Sequence, residues 1–354
     1  MYDITIVGAG PSGSTLARLL GKKYKILLLD QRELISYKEG SFEKCCGGLI
    51  APDAQYMLAK LGLGVPGDVL VGPQLFTVRT IDIQNNIEKY YQRHYINVDR
   101  EKFDSWLVSL IPSNVDIRCG TLYKSHESKS DKIIVNFLSD GKRCYDETKF
   151  LVGADGANSL LRNQLTDNKF EKMYISIQEW FKVKQNHPYY SAIFDKDISD
   201  FYSWTIPKDD YLIVGAAITP KDNVNQKFDL LKEKLINYGF ELNRSVKKNG
   251  AFILRPQSTK QIFLGKDNVP LIGEAAGWIS PTSAEGLSYA FRSAIALAKS
   301  FNSNPGNLIG EYYKNTKEIR INISRKNLKS PFMYNPLIRK IFMKSGIFGM
   351  DVNK

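Results

Sequence analysis

The chain has 354 residues, enough for about two domains at roughly 150 residues each. Apolar residues make up 43% and charged residues 24%, the balance of a folded globular protein rather than a disordered one. The net charge is +12, and residues 314–354 hold ten Lys and Arg against two acids. So basic a segment points to phosphate, on nucleic acid or on anionic lipid, beside the plainer reading of a solvated helical face.

Four cysteines without a CxxC pair exclude a disulfide framework, and three scattered histidines (His94, His126, His187) give no expectation of a metal site. No window approaches the ~18–20 consecutive apolar residues that cross a bilayer.

Residues 2–31 read as strand, glycine turn, helix, strand. Ile4, Ile6 and Val7 give a buried strand, Leu16, Leu19 and Leu20 a helical stripe, and Lys25 to Asp30 a second apolar strand. The run begins at Met1 without a basic leader, so no secretory signal is expected, and the reducing cytoplasm is the expected compartment. Residues 38–50 read as a polar loop holding Lys44-Cys45-Cys46-Gly47-Gly48. The spacing of Phe103, Trp106/Leu107 and Leu110/Ile111 predicts a helix over 99–111, and Phe150-Leu151-Val152 a buried strand.

From 171 to about 264, aromatic and alternating segments predict an antiparallel sheet, interrupted by a helix near 226–238. After Ile272 a strand, a glycine loop and a helix return, with Leu287, Ala290/Phe291, Ala294/Ile295 and Ala298 on one face. The expected fold class is α/β. A discontinuous Rossmann-like nucleotide-binding domain covers 1–75, 96–168 and 262–310. An inserted β-sheet substrate domain covers 76–95 and 169–261, and a basic helical region covers 311–354.

Gly8-Ala9-Gly10-Pro11-Ser12-Gly13 follows a strand, opens a helix, and precedes Asp30 at the end of the next strand. This is the dinucleotide fingerprint in its required context. The first glycine makes the tight turn, the second lets backbone approach a pyrophosphate, and the third packs helix on strand. The helix N-terminus faces the phosphate charge, and Asp30, followed by Gln31 and Arg32, is placed to accept from a ribose hydroxyl. This spacing alone does not choose between NAD and FAD. Two later segments also sit at strand–helix junctions. One is Gly153-Ala154-Asp155-Gly156-Ala157-Asn158-Ser159 with Arg162; the other is Gly273-Glu274-Ala275-Ala276-Gly277 with Pro281 and Glu285-Gly286-Leu287.

Taken together, the three segments resemble the motifs of the flavoprotein hydroxylases and their relatives. The resemblance implies an FAD domain of the glutathione reductase/p-hydroxybenzoate hydroxylase type. It implies that Asp155, Gly156 and Ser159 help organise the cofactor site. Glu274, where the family usually has Asp, would hold the ribityl chain. Backbone N–H groups near Gly286 and Leu287 would face the flavin, where a helix N-terminus stabilises charge. Arg100 in Arg100-Glu101-Lys102-Phe103-Asp104 matches a family pattern that puts the arginine beside the cofactor. A cation in the first turn opposes the helix dipole, the kind of local conflict that marks functional sites.

Within that superfamily the chain resembles the geranylgeranyl reductase family, and more closely its CbrA-type bacterial branch. Lys44-Cys45-Cys46-Gly47-Gly48-Leu49 is similar to the family's Lys-Pro-Cys-Gly-Gly stretch, with Cys46 on the active-site cysteine and Cys45 replacing proline. Tyr202-Ser203-Trp204-Thr205-Ile206-Pro207 is similar to its Tyr-x-Trp-x-Phe-Pro motif. Period-two geometry puts Tyr202, Trp204 and Ile206 on one strand face, a wall for a prenyl chain or an ordinary packed sheet face. The resemblance implies hydride transfer from N5 of reduced FAD to a C=C bond of an isoprenoid or polyprenyl lipid. It makes Cys46, Tyr202 and Trp204 the catalytic candidates. Tyr202, Trp204, Ile206 and Pro207 would line the substrate, and Cys46, Gly47 and Gly48 would approach the cofactor. A disulfide between adjacent Cys45 and Cys46 is disfavoured by geometry.

There is no second GxGxxG, so NAD(P)H or ferredoxin is expected as an external reductant. A membrane lipid as substrate gives the basic region an anionic leaflet to meet. Lysines and arginines from Lys314 to Lys344, interleaved with Ile319, Ile321, Ile323, Leu328, Phe332, Leu337, Ile338, Ile341 and Phe342, are expected to dock there, peripherally on the cytoplasmic face. Nucleic acid is not expected, since no recognition motif accompanies the charge.

Two alternatives stand beside this reading. One is a monooxygenase of hydroxylase or halogenase type, since Tyr202–Pro207 partly matches a Trp-x-Trp-x-Ile-Pro motif, with no catalytic lysine assigned. The other is a flavin-containing lipid binder without turnover.

Overall fold

In a computed structural model the described residues are 1–36, 44–167, 170, 172–184 and 187–352. They divide into two compact units, one of residues 1–43, 101–171 and 254–325, the other of 44–100, 172–253 and 326–354.

The first unit is built on a six-stranded sheet in the order Asp116–Arg118, Ile26–Leu29, Tyr2–Val7, Lys142–Gly153, Ile133–Ser139, Thr121–Ser128. Tyr2–Val7 pairs in parallel with Ile26–Leu29 on one side and with Lys142–Gly153 on the other. The last two pairings are antiparallel. Tyr2–Val7 is a central parallel strand buried on both faces, since Thr5 is as fully buried as Ile4 and Ile6 on either side of it. Helix Pro11–Leu20 starts with proline in its first turn, where a missing N–H costs nothing, and packs beside helix Leu287–Ser303. Leu16 and Leu20 face the core as the stripe predicts, but Leu19 turns outward to solvent.

The second unit carries an eight-stranded sheet in the order Arg244–Leu254, Met173–Lys182, Tyr211–Ile218, Ser203–Lys208, Tyr190–Phe194, Leu75–Asp82, Ile87–Asn97, Leu49–Ile50. The sheet is mixed rather than wholly antiparallel, because Tyr190–Phe194 runs parallel to Leu75–Asp82. Helix Val224–Asn237 covers it with Phe228, Leu231 and Leu235. Residues 44–75 and 96–100 group with this sheet and not with the dinucleotide domain, because Leu49–Ile50 adds to its edge by pairing with Ile96 and Asn97.

The basic region is not one uniform face. Ile319 and Ile323 of helix Lys317–Tyr334 are buried in the core of the first unit, so they are not surface residues. Arg339 of helix Pro336–Ser345 is buried in the second unit, its Nε donating to Asp82 at 2.7 Å. No helix among the described residues is long and apolar enough to cross a membrane.

Candidate active site

The first unit brings the three glycine segments together. Gly8 has φ 103°, and a Cβ there would lie 2.4 Å from the Ala154 carbonyl oxygen; one on Gly13 would lie 1.8 Å from the Gly8 oxygen. Only glycine lets strand, turn and helix approach this closely. Gly10 caps helix Pro11–Leu20 without a side-chain acceptor, and its missing Cβ meets only the tip of Arg32, at 3.9 Å. The first-turn N–H groups are therefore left for an anion. Ser12 is buried, and a Cβ on Gly273, whose φ is 58°, would lie 2.6 Å from its hydroxyl, so the third segment sits directly on the first.

Asp30 is fully engaged. One carboxylate oxygen accepts the Ala9 N–H at 2.7 Å and Arg32 Nη2 at 3.0 Å; the other accepts Arg32 N and Nε at 2.8 and 3.0 Å. With its lone pairs so occupied, the carboxylate takes a ribose hydroxyl only by releasing part of Arg32. Arg32 also reaches the buried Asp104 at 2.9 Å. Burial opposes its charge, but Asp104 and Asp30 more than reverse that and hold the guanidinium pKa above its ordinary value. Gln31 is exposed beside them.

In the second segment, Asp155 accepts from the Ser159 hydroxyl at 2.6 Å and the Leu161 N–H, and Ser159 caps helix Leu160–Leu165 through the Arg162 N–H. Burial pushes the Asp155 pKa up, against those hydrogen bonds. That helix aims Arg162 at the carbonyls of Ala157 and Ala275, so the second segment braces the third. Gly156 makes its turn at φ 79°. The Glu274 carboxylate accepts the Leu254 N–H at 3.1 Å, Gly277 closes the turn at φ 92°, and the Pro281 carbonyl accepts from Arg255. Gly286 caps helix Leu287–Ser303 with no atom within 4 Å of where its Cβ would be, while Leu287 is buried.

A second cluster forms within the other unit. Arg100, first residue of helix Arg100–Ser109, places Nη1 2.9 Å from the Cys46 sulfur. Cys45 turns the other way and donates to the Ser176 carbonyl at 3.5 Å; burial pushes its thiol up to about 12. Neither thiol is in a disulfide, and the Arg100 guanidinium lies against Cys46.

Tyr202 and Trp204 lie on one face with ring centroids 5.4 Å apart, and Tyr202 also packs on Phe201 at 4.9 Å. The Trp204 indole lies over Gly215 of the neighbouring strand, where a Cβ would come within 2.4 Å of it. Trp204 is 5% exposed, and its Nε1 has no hydrogen-bond partner among the described residues. Ile206 continues the face, touching the space where a Gly47 side chain would be, 2.3 Å from its Cδ1. The Pro207 carbonyl accepts from Asn97 at 2.8 Å.

Sequence reasoning missed Lys208, two residues beyond Ile206 on the same face. It is 4% exposed, and Nζ donates to the carbonyls of Val98 at 2.6 Å and Gly48 at 3.3 Å. Gly48, at φ 63°, has no room for a Cβ, which would lie 2.3 Å from the Val98 oxygen and 2.5 Å from Nζ. Burial brings the lysine pKa down to about 7, with Cys46, Asp99 and Asp209 favouring the charge and Arg100 opposing it. The available signal was period-two spacing extended by one step; a lysine ending a strand otherwise reads as solvent-facing.

Residues 6–44 match a family model described as an NAD(P)-binding Rossmann-like domain. Protein CbrA of Shigella sonnei (strain Ss046) is 41% identical over 346 residues, covering 98% of this chain and 97% of that protein. The chain belongs to the CbrA family. Among solved structures, a geranylgeranyl bacteriochlorophyll reductase-like protein from Thermoplasma acidophilum matches with a TM-score of 0.80 at 18% identity, covering 97% of this chain and 90% of that one. PqsL, a probable FAD-dependent monooxygenase from Pseudomonas aeruginosa, matches with a TM-score of 0.69 at 16% identity, covering 98% and 99%. Across its length this CbrA-family chain thus has the fold on which FAD-dependent oxidoreductases are built. The first unit fits FAD: Gly10 and Gly286 cap helix N-termini with room beside them, and the Glu274 turn is packed on Ser12 of the first segment.

Proposed function

We propose that the chain is an FAD-dependent oxidoreductase that reduces C=C bonds of an isoprenoid or polyprenyl lipid. FAD, when bound and reduced, supplies a hydride at N5. Gly10 and Gly286 would offer backbone N–H groups to its charged parts, Glu274 would accept from its hydroxyls, and Asp30 would do so once part of Arg32 lets go. The reductant that reloads it is NAD(P)H or another external donor.

The observation that carries the reading is the juxtaposition, within one unit, of a cation-paired thiol with an apolar ring wall: Cys46 against Arg100, and Tyr202, Trp204 and Ile206 along one strand face. Reducing an alkene takes a hydride at one carbon and a proton at the other. Cys46 Sγ holds that proton, and the Arg100 guanidinium stabilises the sulfur charge left when it departs. A thiol is small and tolerable beside lipid, whereas an unpaired carboxylate there would be costly. Tyr202, Trp204 and Ile206 exclude water, and each buried methylene of a prenyl chain adds about 0.8 kcal/mol of binding. Lys208 holds the Gly48 carbonyl and so fixes the loop that carries Cys46.

The test is to incubate reconstituted, chemically reduced protein with geranylgeranyl diphosphate without oxygen and weigh the lipid. A mass gain of one hydrogen pair per reduced bond supports the reading. An added oxygen atom under air would support a monooxygenase instead. Tight lipid binding with no mass change would support a flavin-containing lipid binder.

A further inference from the structure

Residues 326–352 of the second unit hold the end of helix Lys317–Tyr334 and helix Pro336–Ser345, with buried anchors on some positions and exposed apolar side chains on others. Asn335 ends one helix and caps the next, Pro336–Ser345, by accepting the N–H groups of Leu337 and Ile338. The anchors are buried, directional contacts. Arg339 donates to Asp82 at 2.7 Å and lies over the Phe194 ring, the Pro336 carbonyl accepts from Asn85, and the Met350 N–H donates to the Tyr90 carbonyl. Met343, one turn after Arg339, is buried with it. Leu337 and Ile341 stand two positions from these, about 200° around the helix, and therefore point away from the anchor.

They are 72% and 71% exposed, and Leu328, Phe332 and Phe348 are exposed at 77%, 54% and 84%. Phe348, the most exposed of these, has φ 61°, in the left-handed region that bulky residues rarely adopt. Lys329 and Lys344 are exposed and Lys340 half-buried on the same segment, and none of the three makes an ion pair among the described residues.

We propose that this two-helix segment is a docking surface for an anionic lipid leaflet, its exposed apolar side chains entering the acyl boundary while Lys329, Lys340 and Lys344 meet headgroup phosphates. Charge selects the occupant. A second copy of the chain would bring like-charged lysines face to face, as a two-fold interface pairs a patch with itself. Separate protruding tips also suit a fluid boundary better than a shape-fitted pocket.

The packing of this segment gives the surface a use. Tyr334 packs on Phe201 with centroids 5.2 Å apart, Phe201 on Tyr202 at 4.9 Å, and Tyr202 on Trp204 at 5.4 Å. A chain of rings thus joins this segment to the apolar wall. The inference rests on the lipid-substrate reading for that use only, because docking is measured without turnover.

The experiment is co-sedimentation of the full chain with phosphatidylglycerol-containing vesicles and with phosphatidylcholine vesicles. Binding is expected to the anionic vesicles alone and to fall as salt rises. Replacing Lys329, Lys340 and Lys344 with Ala weakens it about fivefold per lysine. Leu337→Asp with Ile341→Asp weakens it about tenfold or more. Unchanged thermal unfolding and FAD retention in these surface variants show that they fold. No binding by the wild-type chain, or full binding by the Leu337→Asp/Ile341→Asp variant, overturns the proposal. So does a wild-type dimer that this variant splits, which would make the face an interface between copies. Vesicle binding without lipid reduction would leave docking standing and remove the substrate reading. Reduction of detergent-dispersed lipid without vesicle binding would do the reverse.

Discussion

The Arg100 guanidinium lies 2.9 Å from the Cys46 sulfur, although the two residues are 54 positions apart in the chain. A cation held against a thiol stabilises the sulfur anion, which makes the thiol a readier proton donor and a faster nucleophile. Iodoacetamide at neutral pH is accordingly expected to alkylate Cys46 before Cys45, a half-buried thiol that desolvation pushes up to about 12. In Arg100→Ala the Cys46 rate falls roughly tenfold, read by fragment mass spectrometry. Equal labelling of the two cysteines in the wild-type chain would remove the distinction between them.

Lys208 makes stability depend on pH, and the sign is fixed. Its folded pKa lies at about 7, below the ordinary 10.5, so between those values the unfolded chain binds the extra proton. Stability then rises with pH. The penalty for burying the charge is full below about pH 7 and is relieved as pH climbs toward 10.5. The unfolding free energy of the wild type minus that of Lys208→Met therefore grows across this window, by on the order of a few kcal/mol. Denaturant titrations at several pH values measure it; a difference that is flat or shrinks with pH contradicts the buried lysine.

Gly215 is the floor under Trp204. A methyl at this position would lie 2.4 Å from the indole, and the ring is boxed in by its strand neighbours. Gly215→Ala should cost about 1–3 kcal/mol, seen as a lower unfolding midpoint, and should raise KM for a prenyl substrate more than it lowers kcat. An unchanged KM would take Trp204 out of the substrate wall.

Arg32 bridges Asp30 and Asp104 in the first unit. Arg32→Met takes the guanidinium away from Asp104, which has no exposure. Removing one partner of a buried pair costs about 3–5 kcal/mol, so the variant should unfold earlier and lose FAD on gel filtration. Native stability with full FAD retention would show that the carboxylates do not need the guanidinium.

What was legible in the sequence follows from the range of the physics. The turn at Gly8–Gly13 and the acid at Asp30 are local demands, since only glycine reaches φ 103° or survives a 1.8 Å approach, and such demands are written in the residues themselves. Tyr202, Trp204 and Ile206 were readable because strand alternation is also local. Lys208, Gly215 and the Arg100–Cys46 contact were not, because strand pairing and loop closure decide them. Arg339 shows the same limit. Its charge reads as surface until the fold brings Asp82, 257 residues away, to its guanidinium. Ile319 and Ile323 look like exposed apolar residues in a basic stretch until the first unit's core closes over them.

The most direct measurement is anaerobic reoxidation. The FAD-loaded protein is bleached with one equivalent of reductant, mixed with geranylgeranyl diphosphate, and followed by flavin absorbance. The yellow colour should return at a rate that falls sharply in Cys46→Ala, with matching loss of an alkene from the lipid. A protein that takes up no FAD, or one that stays bleached until air is admitted, would contradict the assignment.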